Sequence, residues 1–187
     1  MRVISGKFKG HRLVSVGTRN SIARLRPTSD KVRESIFNLL SCDKVVIGAH
    51  VLDLFAGTGA LALEALSRGA SKITLVENSR FSLNILRQNI ALLDVGDKAK
   101  VIPQDATKLG KNQGKRATVL FLDPPYGMML GERAFSQIIK GGWLSDRATI
   151  IWEENAPVNP PDGFALKTTR KYGDTYISIL NTTTNVT

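Results

Sequence analysis

The sequence is poor in several things. Its 187 residues contain one cysteine, Cys42, and two histidines, His11 and His50. A single thiol excludes an internal disulfide and a cysteine-cluster metal site, and the two histidines, far apart and with no acid cluster beside them, give no zinc signature. Cys42 falls at a predicted helix end away from every motif below, so packing is expected of it rather than nucleophilic chemistry. No apolar run approaches the length that spans a bilayer. Met1-Arg2-Val3-Ile4-Ser5-Gly6-Lys7 lacks the apolar core of a secretory leader, and a cytoplasmic location is expected. No segment repeats along the chain. Acids are the scarcer sign, 16 against 26 Lys and Arg, for a formal charge of +10.

That charge is localised. Arg2, Lys7, Lys9, Arg12, Arg19, Arg24, Arg26, Lys31 and Arg33 face one acid, Asp30, so residues 1–33 carry +8 of the +10. The rest, with 17 basic and 15 acidic side chains, is nearly neutral. A polyanion would hold such an arm through phosphate contacts and release counterions, which favours nucleic acid over a merely solvated tail.

Residues 1–26 read as a basic extension: the apolar pairs Val3-Ile4 and Leu13-Val14, separated by Gly6 and Gly10, predict a small hairpin followed by a flexible loop. Thr28, Ser29 and Asp30 are N-cap candidates for a helix with Val32, Ile36, Leu39 and Leu40 on one face, ending near Cys42. Strands and helices then alternate. Strands are predicted at 51–55, 72–77, 100–103, 117–123 and 148–153, and helices at 60–68, 79–93 and 132–140. Gly69 stops the first of these helices, and Ser79 caps the next, whose buried side is Leu83, Leu86, Ile90 and Leu93. The Pro-rich stretch 157–161 is a loop, and strands near 164–171 and 174–180 form a hairpin around Tyr172-Gly173-Asp174. Residues 181–187 show no core pattern and are expected to be a disordered tail. Unbroken apolar strands alternating with helices predict an α/β domain over 27–180, a Rossmann-like parallel sheet covered on both faces, with the ligand site beyond the carboxyl ends of its strands.

Two motifs fall at such ends. In Asp53-Leu54-Phe55-Ala56-Gly57-Thr58-Gly59-Ala60 the glycines let backbone approach a ligand just before a helix N-terminus. The pattern alone admits a dinucleotide or S-adenosylmethionine. Asp53 separates them: a carboxylate four residues before Gly57 repels a pyrophosphate and attracts an ammonium or sulfonium, although a turn-capping Asp has the same look. Glu77, at the end of the next strand, is placed to hold ribose hydroxyls, and Asp105 to accept from an adenine amino group.

Asp123-Pro124-Pro125-Tyr126 is the more specific motif. Its prolines stiffen the loop and fix the direction of its carbonyls. An amino group on a base is a poor nucleophile because its lone pair is delocalised into the ring. Hydrogen bonds to the Asp123 carboxylate and the Pro124 carbonyl favour a pyramidal nitrogen that attacks a methyl carbon in line, so the catalysis is mostly positioning and electrostatics. Tyr126 offers a flat face for a base drawn out of its stack. Trp143 and Trp152 are expected in the core, and Glu153, at a strand end, has no role assigned from sequence.

In these residues the chain resembles the bacterial 16S ribosomal RNA guanine-N2 methyltransferases of the RsmD type. The likeness rests on Asp53–Ala60, Asp123–Tyr126, Arg2–Gly10, Leu25–Glu34, Gly142-Trp143-Leu144 and Tyr172–Thr175, and runs from about Arg2 to Leu180. It implies a seven-stranded sheet and transfer of a methyl group to the N2 of a guanine, the one called 966 in the small-subunit RNA. S-adenosylmethionine is the implied donor, S-adenosylhomocysteine the second product, and no metal takes part. It assigns donor contacts to Arg26, Thr28, Asp53, Phe55, Ala56, Gly57, Gly59, Glu77, Asn78, Asp105 and Ala106. Catalysis falls to Asp123, Pro124, Pro125 and Tyr126. RNA contacts are expected from Arg2, Lys7, Lys9, Arg12, Arg19, Arg24 and Arg26. The expected partner is 16S rRNA or a small-subunit assembly particle, with the enzyme a monomer. A DNA adenine, a protein glutamine, or a non-catalytic role in assembly are the competing readings.

Overall fold

The computed structural model describes residues 1–15, 30–41 and 44–183. Its elements are α1 Asp30–Ser41, β1 His50–Leu54, α2 Ala60–Ser67, β2 Lys72–Val76, α3 Arg80–Leu92, β3 Ala99–Ile102, β4 Ala117–Leu122, α4 Leu130–Lys140, β5 Leu144–Glu154, β6 Phe164–Tyr172 and β7 Thr175–Thr182. They build one seven-stranded sheet in the order β3-β2-β1-β4-β5-β7-β6. The first five strands of that order pair in parallel, and β7 enters antiparallel between β5 and β6. The strand order reverses between β1 and β4, the place where open α/β sheets bind ligands.

Each strand sends alternate side chains to opposite layers, which is why the central ones are apolar without a break. Val51, Ile73, Leu75, Val119, Phe121 and Ile151 face one core with Phe37 of α1, Ala62 of α2 and Leu86 of α3. Leu52, Leu54, Leu120, Leu122, Ile150 and Trp152 face the other, under Phe135 and Ile138 of α4. Leu83, Leu86, Ile90 and Leu93 are all buried, and the Ser79 hydroxyl caps α3 by accepting from the Ser82 N–H at 3.4 Å.

The first residues pair as expected: Val3 N–H donates to His11 O, Gly10 N–H to Val3 O and Leu13 N–H to Met1 O. The turn does not project from the domain. Val3 and Leu13 enter the α2 side of the core, and a Cβ on Gly6 would stand 1.8 Å from the Ser67 carbonyl oxygen. Glu64 of α2 accepts from the N–H groups of Ile4 at 2.7 Å and Ser5 at 3.0 Å. The described part of the extension is thus fastened to the sheet domain by a buried carboxylate.

Several boundaries move by one or two residues from the sequence reading, and two of the differences have a plain physical reason. β5 begins at Leu144 rather than Ala148, because Leu144 pairs with Ala117 ahead of a register shift. β7 takes in Asn181 and Thr182, which were expected in the disordered tail. Asn181 pairs with Thr149 and Ala165, and the Thr182 hydroxyl donates to Asp146 O while accepting from Ala148 N–H. A strand bonded on both sides is fixed by its backbone even where its side chains carry no apolar pattern. Residues 184–187 lie outside the described part. No described helix is long and apolar enough to cross a membrane.

Candidate active site

The strand register sets out the site. Leu54 of β1 pairs with Val76 of β2 and Leu122 of β4, Val76 with Ile102 of β3, and Leu122 with Trp152 of β5. The next residue on each strand therefore falls in one row: Pro103, Glu77, Phe55, Asp123 and Glu153. Adjacent strands are about 4.8 Å apart, so Glu77 and Asp123, either side of β1, stand roughly 10 Å from each other. One small ligand can reach both.

Phe55 leaves β1 with φ 62°, and Gly57 and Gly59 follow at 55° and 80°. Gly59 closes the turn, donating to Ala56 O at 2.7 Å, and a Cβ there would stand 2.4 Å from Leu86 Cδ1. Gly59 is also the N-cap of α2 and has no side chain to cap it. Asp53 does so instead, accepting a hydrogen bond from the N–H of Ala62 in the first turn of the helix. Its other oxygen, Oδ2, is buried with no hydrogen-bond partner among the described residues. Burial pushes the Asp53 carboxyl up to about 8; the Ala62 bond opposes this and the charge of Glu77 adds to it. Asp53 is therefore a helix-capping carboxylate on one side and an unanswered acceptor on the other, a combination that favours a cation.

Glu77 is occupied differently from the sequence reading. Its Oε2 accepts from Gly57 N–H, and its Oε1 from the N–H groups of Asn78 and Ser79, each at 2.8 Å. These bonds tie the end of β2 to the glycine loop and use three of about four lone-pair positions, leaving one for a hydroxyl donor. Asp105 caps the 3-10 turn Ala106–Lys108 through its Oδ1, which accepts from the N–H of Thr107 at 2.9 Å and its hydroxyl at 2.7 Å. Partial burial opposes its ionisation, but the Thr107 bonds and the charges of Lys108 and Arg133 outweigh that and hold the carboxyl below its ordinary value. Its Oδ2 has a long pairing with Lys108 at 3.9 Å. Phe55 is half-buried, Ala56 is buried and Asn78 is exposed, while the Ala106 side chain packs into the core under α4 with Leu109 and Ala117.

In the catalytic loop Pro124 is buried, Pro125 exposed, and Asp123 and Tyr126 half-buried. The Tyr126 hydroxyl reaches Glu153 Oε1 at 3.1 Å and Thr175 Oγ1 at 3.0 Å. Burial raises the phenol above its ordinary value, the Thr175 bond opposes this, and the charges of Glu153 and Asp123 reinforce it. The ring thus stays neutral and is anchored from two further strands. Glu153, 8% exposed, acquires the role the sequence did not give it, and Thr175 joins it. The signal for Glu153 was its place in the row of strand ends, beside Asp123; nothing local marks Thr175. Trp152 is 1% exposed, as expected of a core residue, whereas Trp143 is only half-buried and donates to Gly110 O. A cavity of about 800 Å³ opens past Tyr126 between Gly127, Met129, Phe135, Pro157 and Phe164. It touches no residue of the glycine loop, and its carboxylates Glu132, Glu154 and Asp162 disfavour phosphate.

Arg2, Lys7, Lys9 and Arg12 are all exposed. Arg2 and Arg12 sit opposite each other in an isolated antiparallel bridge. Like charges so placed repel, a cost that an anion removes. Arg19, Arg24, Arg26 and Thr28 lie outside the described residues, as does Cys42. Among the described residues no group of three or more His, Cys, Asp or Glu could hold a metal ion.

Comparison with known proteins places the fold and the family. The family model described as Conserved hypothetical protein 95 matches residues 1–181. The chain is 37% identical over 169 residues to ribosomal RNA small subunit methyltransferase D of Escherichia coli, covering 89% of this chain and 82% of that one. It is 36% identical over 172 residues to the protein of the same name from Haemophilus influenzae, covering 89% and 86%. The solved structure of yhhF from Escherichia coli superimposes with a TM-score of 0.84 at 35% identity and 97% coverage of both chains. The chain belongs to the family that the Conserved hypothetical protein 95 model describes, together with these ribosomal RNA small subunit methyltransferase D proteins.

Proposed function

We propose that this protein transfers a methyl group from S-adenosylmethionine to the exocyclic N2 of a guanine in small-subunit ribosomal RNA, at the position corresponding to guanine 966. The observation that carries the reading is the unpartnered oxygen of Asp53, two residues before Phe55, whose neighbours in the level row of strand ends are Glu77 and Asp123. In this reading Asp53 Oδ2 takes the donor's ammonium, the free lone pair of Glu77 takes a ribose hydroxyl, and Asp105 Oδ2 takes the adenine amino group. Phe55, Ala56, Gly57, Gly59, Asn78 and Ala106 shape the rest of the donor pocket, and Arg26 and Thr28 are the further donor contacts that the family resemblance implies. The donor supplies a methyl group on positive sulfur and leaves as S-adenosylhomocysteine.

The chain supplies geometry and charge. The Asp123 carboxylate and the Pro124 carbonyl accept from the two N–H groups of the guanine amine, turning its lone pair toward the methyl carbon. Nitrogen–carbon bond formation and carbon–sulfur cleavage are one displacement; the sulfur keeps the bonding pair and the nitrogen gains the positive charge. Asp123 stabilises that charge as it develops, and the nitrogen, now acidic, gives its proton to water. Tyr126, pinned by Glu153 and Thr175, presents its ring to the base. Arg2, Lys7, Lys9 and Arg12, with Arg19, Arg24 and Arg26, hold the RNA backbone, whether as free RNA or in a partly assembled subunit.

The test is transfer of labelled methyl to small subunits from cells lacking this protein, followed by digestion to nucleosides. Label is expected in N2-methylguanosine. Label in a DNA adenine, in protein glutamine, or in nothing contradicts the reading.

A further inference from the structure

We infer that Asn89 is a positioning residue that couples the donor loop to the basic arm, so that donor and RNA each bind more tightly in the presence of the other. The inference rests on the proposed function, which supplies the two ligands.

Asn89, like Ser82, is a polar residue on the buried side of α3, and it is fully buried alongside Leu86, Ile90 and Leu93. Its amide has one acceptor oxygen and two N–H donors. The oxygen accepts from Val14 N–H at 2.7 Å, and the nitrogen donates to Val14 O at 3.1 Å and Thr58 O at 3.0 Å. Each partner is a backbone group, and together they fix which way the amide points, since the flipped orientation sets N–H against N–H. Thr58 lies between Gly57 and Gly59 in the donor loop. Val14 lies two residues after Arg12, the exposed residue that faces Arg2 across the basic arm. One side chain on a third element therefore joins two segments 44 residues apart, both belonging to ligand sites.

The joint has little slack. The loop is seated on α3 through Gly59, where even a Cβ would overlap Leu86. Thr58 Oγ1 also approaches Met1 Sδ at 3.9 Å, a second contact between the loop and the arm. A shift of the Thr58 carbonyl must either carry Asn89 and Val14 with it or leave buried donors and acceptors unpaired. A donor that fixes the loop thus fixes Val14, two residues from Arg12 of the basic arm. Linkage requires the converse by the same factor. A leucine would pack at this position on a simple helix face, so the amide needs a reason, and joining the two sites provides one.

The experiment measures the dissociation constant of S-adenosylhomocysteine with and without a saturating small-subunit RNA fragment on which the wild-type protein transfers methyl. The wild-type ratio is expected to be on the order of tenfold. In Asn89→Leu, close in volume but without hydrogen-bonding groups, it falls toward one while each ligand still binds alone. As a measurement on the unaltered protein, hydrogen exchange of the peptide containing Val14 is expected to slow when S-adenosylhomocysteine is added. A wild-type ratio of one, an Asn89→Leu ratio equal to wild type, or exchange at Val14 unaffected by the ligand overturns the inference. Absence of methyl transfer to any RNA overturns the proposed function instead, and the inference with it; binding of both ligands without coupling overturns the inference alone.

Discussion

Two carboxylates are buried on the same face of the sheet, Asp53 at the end of β1 and Glu64 inside α2, and their partners differ. Glu64 accepts from the N–H groups of Ile4 and Ser5 and from Arg68 Nε at 2.6 Å, with Arg33 Nε 4.0 Å away. Arg33, itself fully buried, reaches on to the Arg2 carbonyl and to Asp30. Asp53 has one backbone donor, an acidic neighbour in Glu77, and an oxygen with no hydrogen-bond partner among the described residues. Glu64 uses its charge to hold arm, α1 and α2 together. Asp53 keeps acceptor capacity that the fold does not use, at a cost to the fold. Of two buried acids, the one the protein leaves unsatisfied is the one expected to meet a ligand.

The largest effect is expected one strand over. Asp123→Ala should lower methyl transfer by about 10²–10³-fold, the range for removing one preorganised transition-state hydrogen bond, with donor binding unchanged by calorimetry. Loss of donor binding along with transfer would put Asp123 in the donor pocket.

The two buried acids should then part company. Glu64→Gln leaves Arg68 without its counter-charge and Arg33 with Asp30 alone, and should cost roughly 3 kcal/mol in chemical denaturation, with donor affinity little changed. Asp53→Asn should do the reverse, weakening the donor by about 10–100-fold, the worth of a charge-assisted bond. It should also raise the melting temperature of the unliganded protein by about 3 °C, the shift that about 1 kcal/mol makes in a chain of this size. The direction follows from linkage. The folded-state value of about 8 lies above the ordinary 3.8, so ionising Asp53 erodes stability as the pH rises between them, and an amide removes that loss. If both substitutions destabilise alike, the contrast fails.

Smaller effects sharpen it. Donor affinity should climb from pH 6 to 8 as Asp53 ionises, then fall as the donor's own α-amino group, ordinarily at about 7.7–8.0, loses its charge; a flat titration counts against Asp53. Replacing Lys9 and Arg12 by alanine should flatten the plot of log affinity for RNA against log salt by about 0.7 for each phosphate no longer neutralised. An unaltered slope removes these residues from the RNA surface.

Much of this was legible in the sequence because it depends on local pattern. The run Val119–Leu122 reads as a buried strand, and Asp123-Pro124-Pro125-Tyr126 as a stiff corner at its end. The strand alternation places Asp53, Glu77 and Asp123 at one edge. What escaped depends on partners distant in sequence. Glu64 reads as a charged position on a helix until residues 4 and 5 are brought against it, and Asn89 as an interruption of an apolar face. Thr175 gains meaning only when β7 inserts beside β5 and delivers its hydroxyl to Tyr126. Asn181 and Thr182 look like tail because their place is fixed by backbone pairing, which a side-chain pattern does not record.

The central claim is that Asp53 waits protonated for a cation. Calorimetric titration of S-adenosylhomocysteine at pH 7, in two buffers of different ionisation enthalpy, counts the protons exchanged on binding. A carboxyl at about 8 should give up close to one proton to the buffer in the wild-type protein and none in Asp53→Asn. Equal proton release by both proteins, or none by either, contradicts the claim.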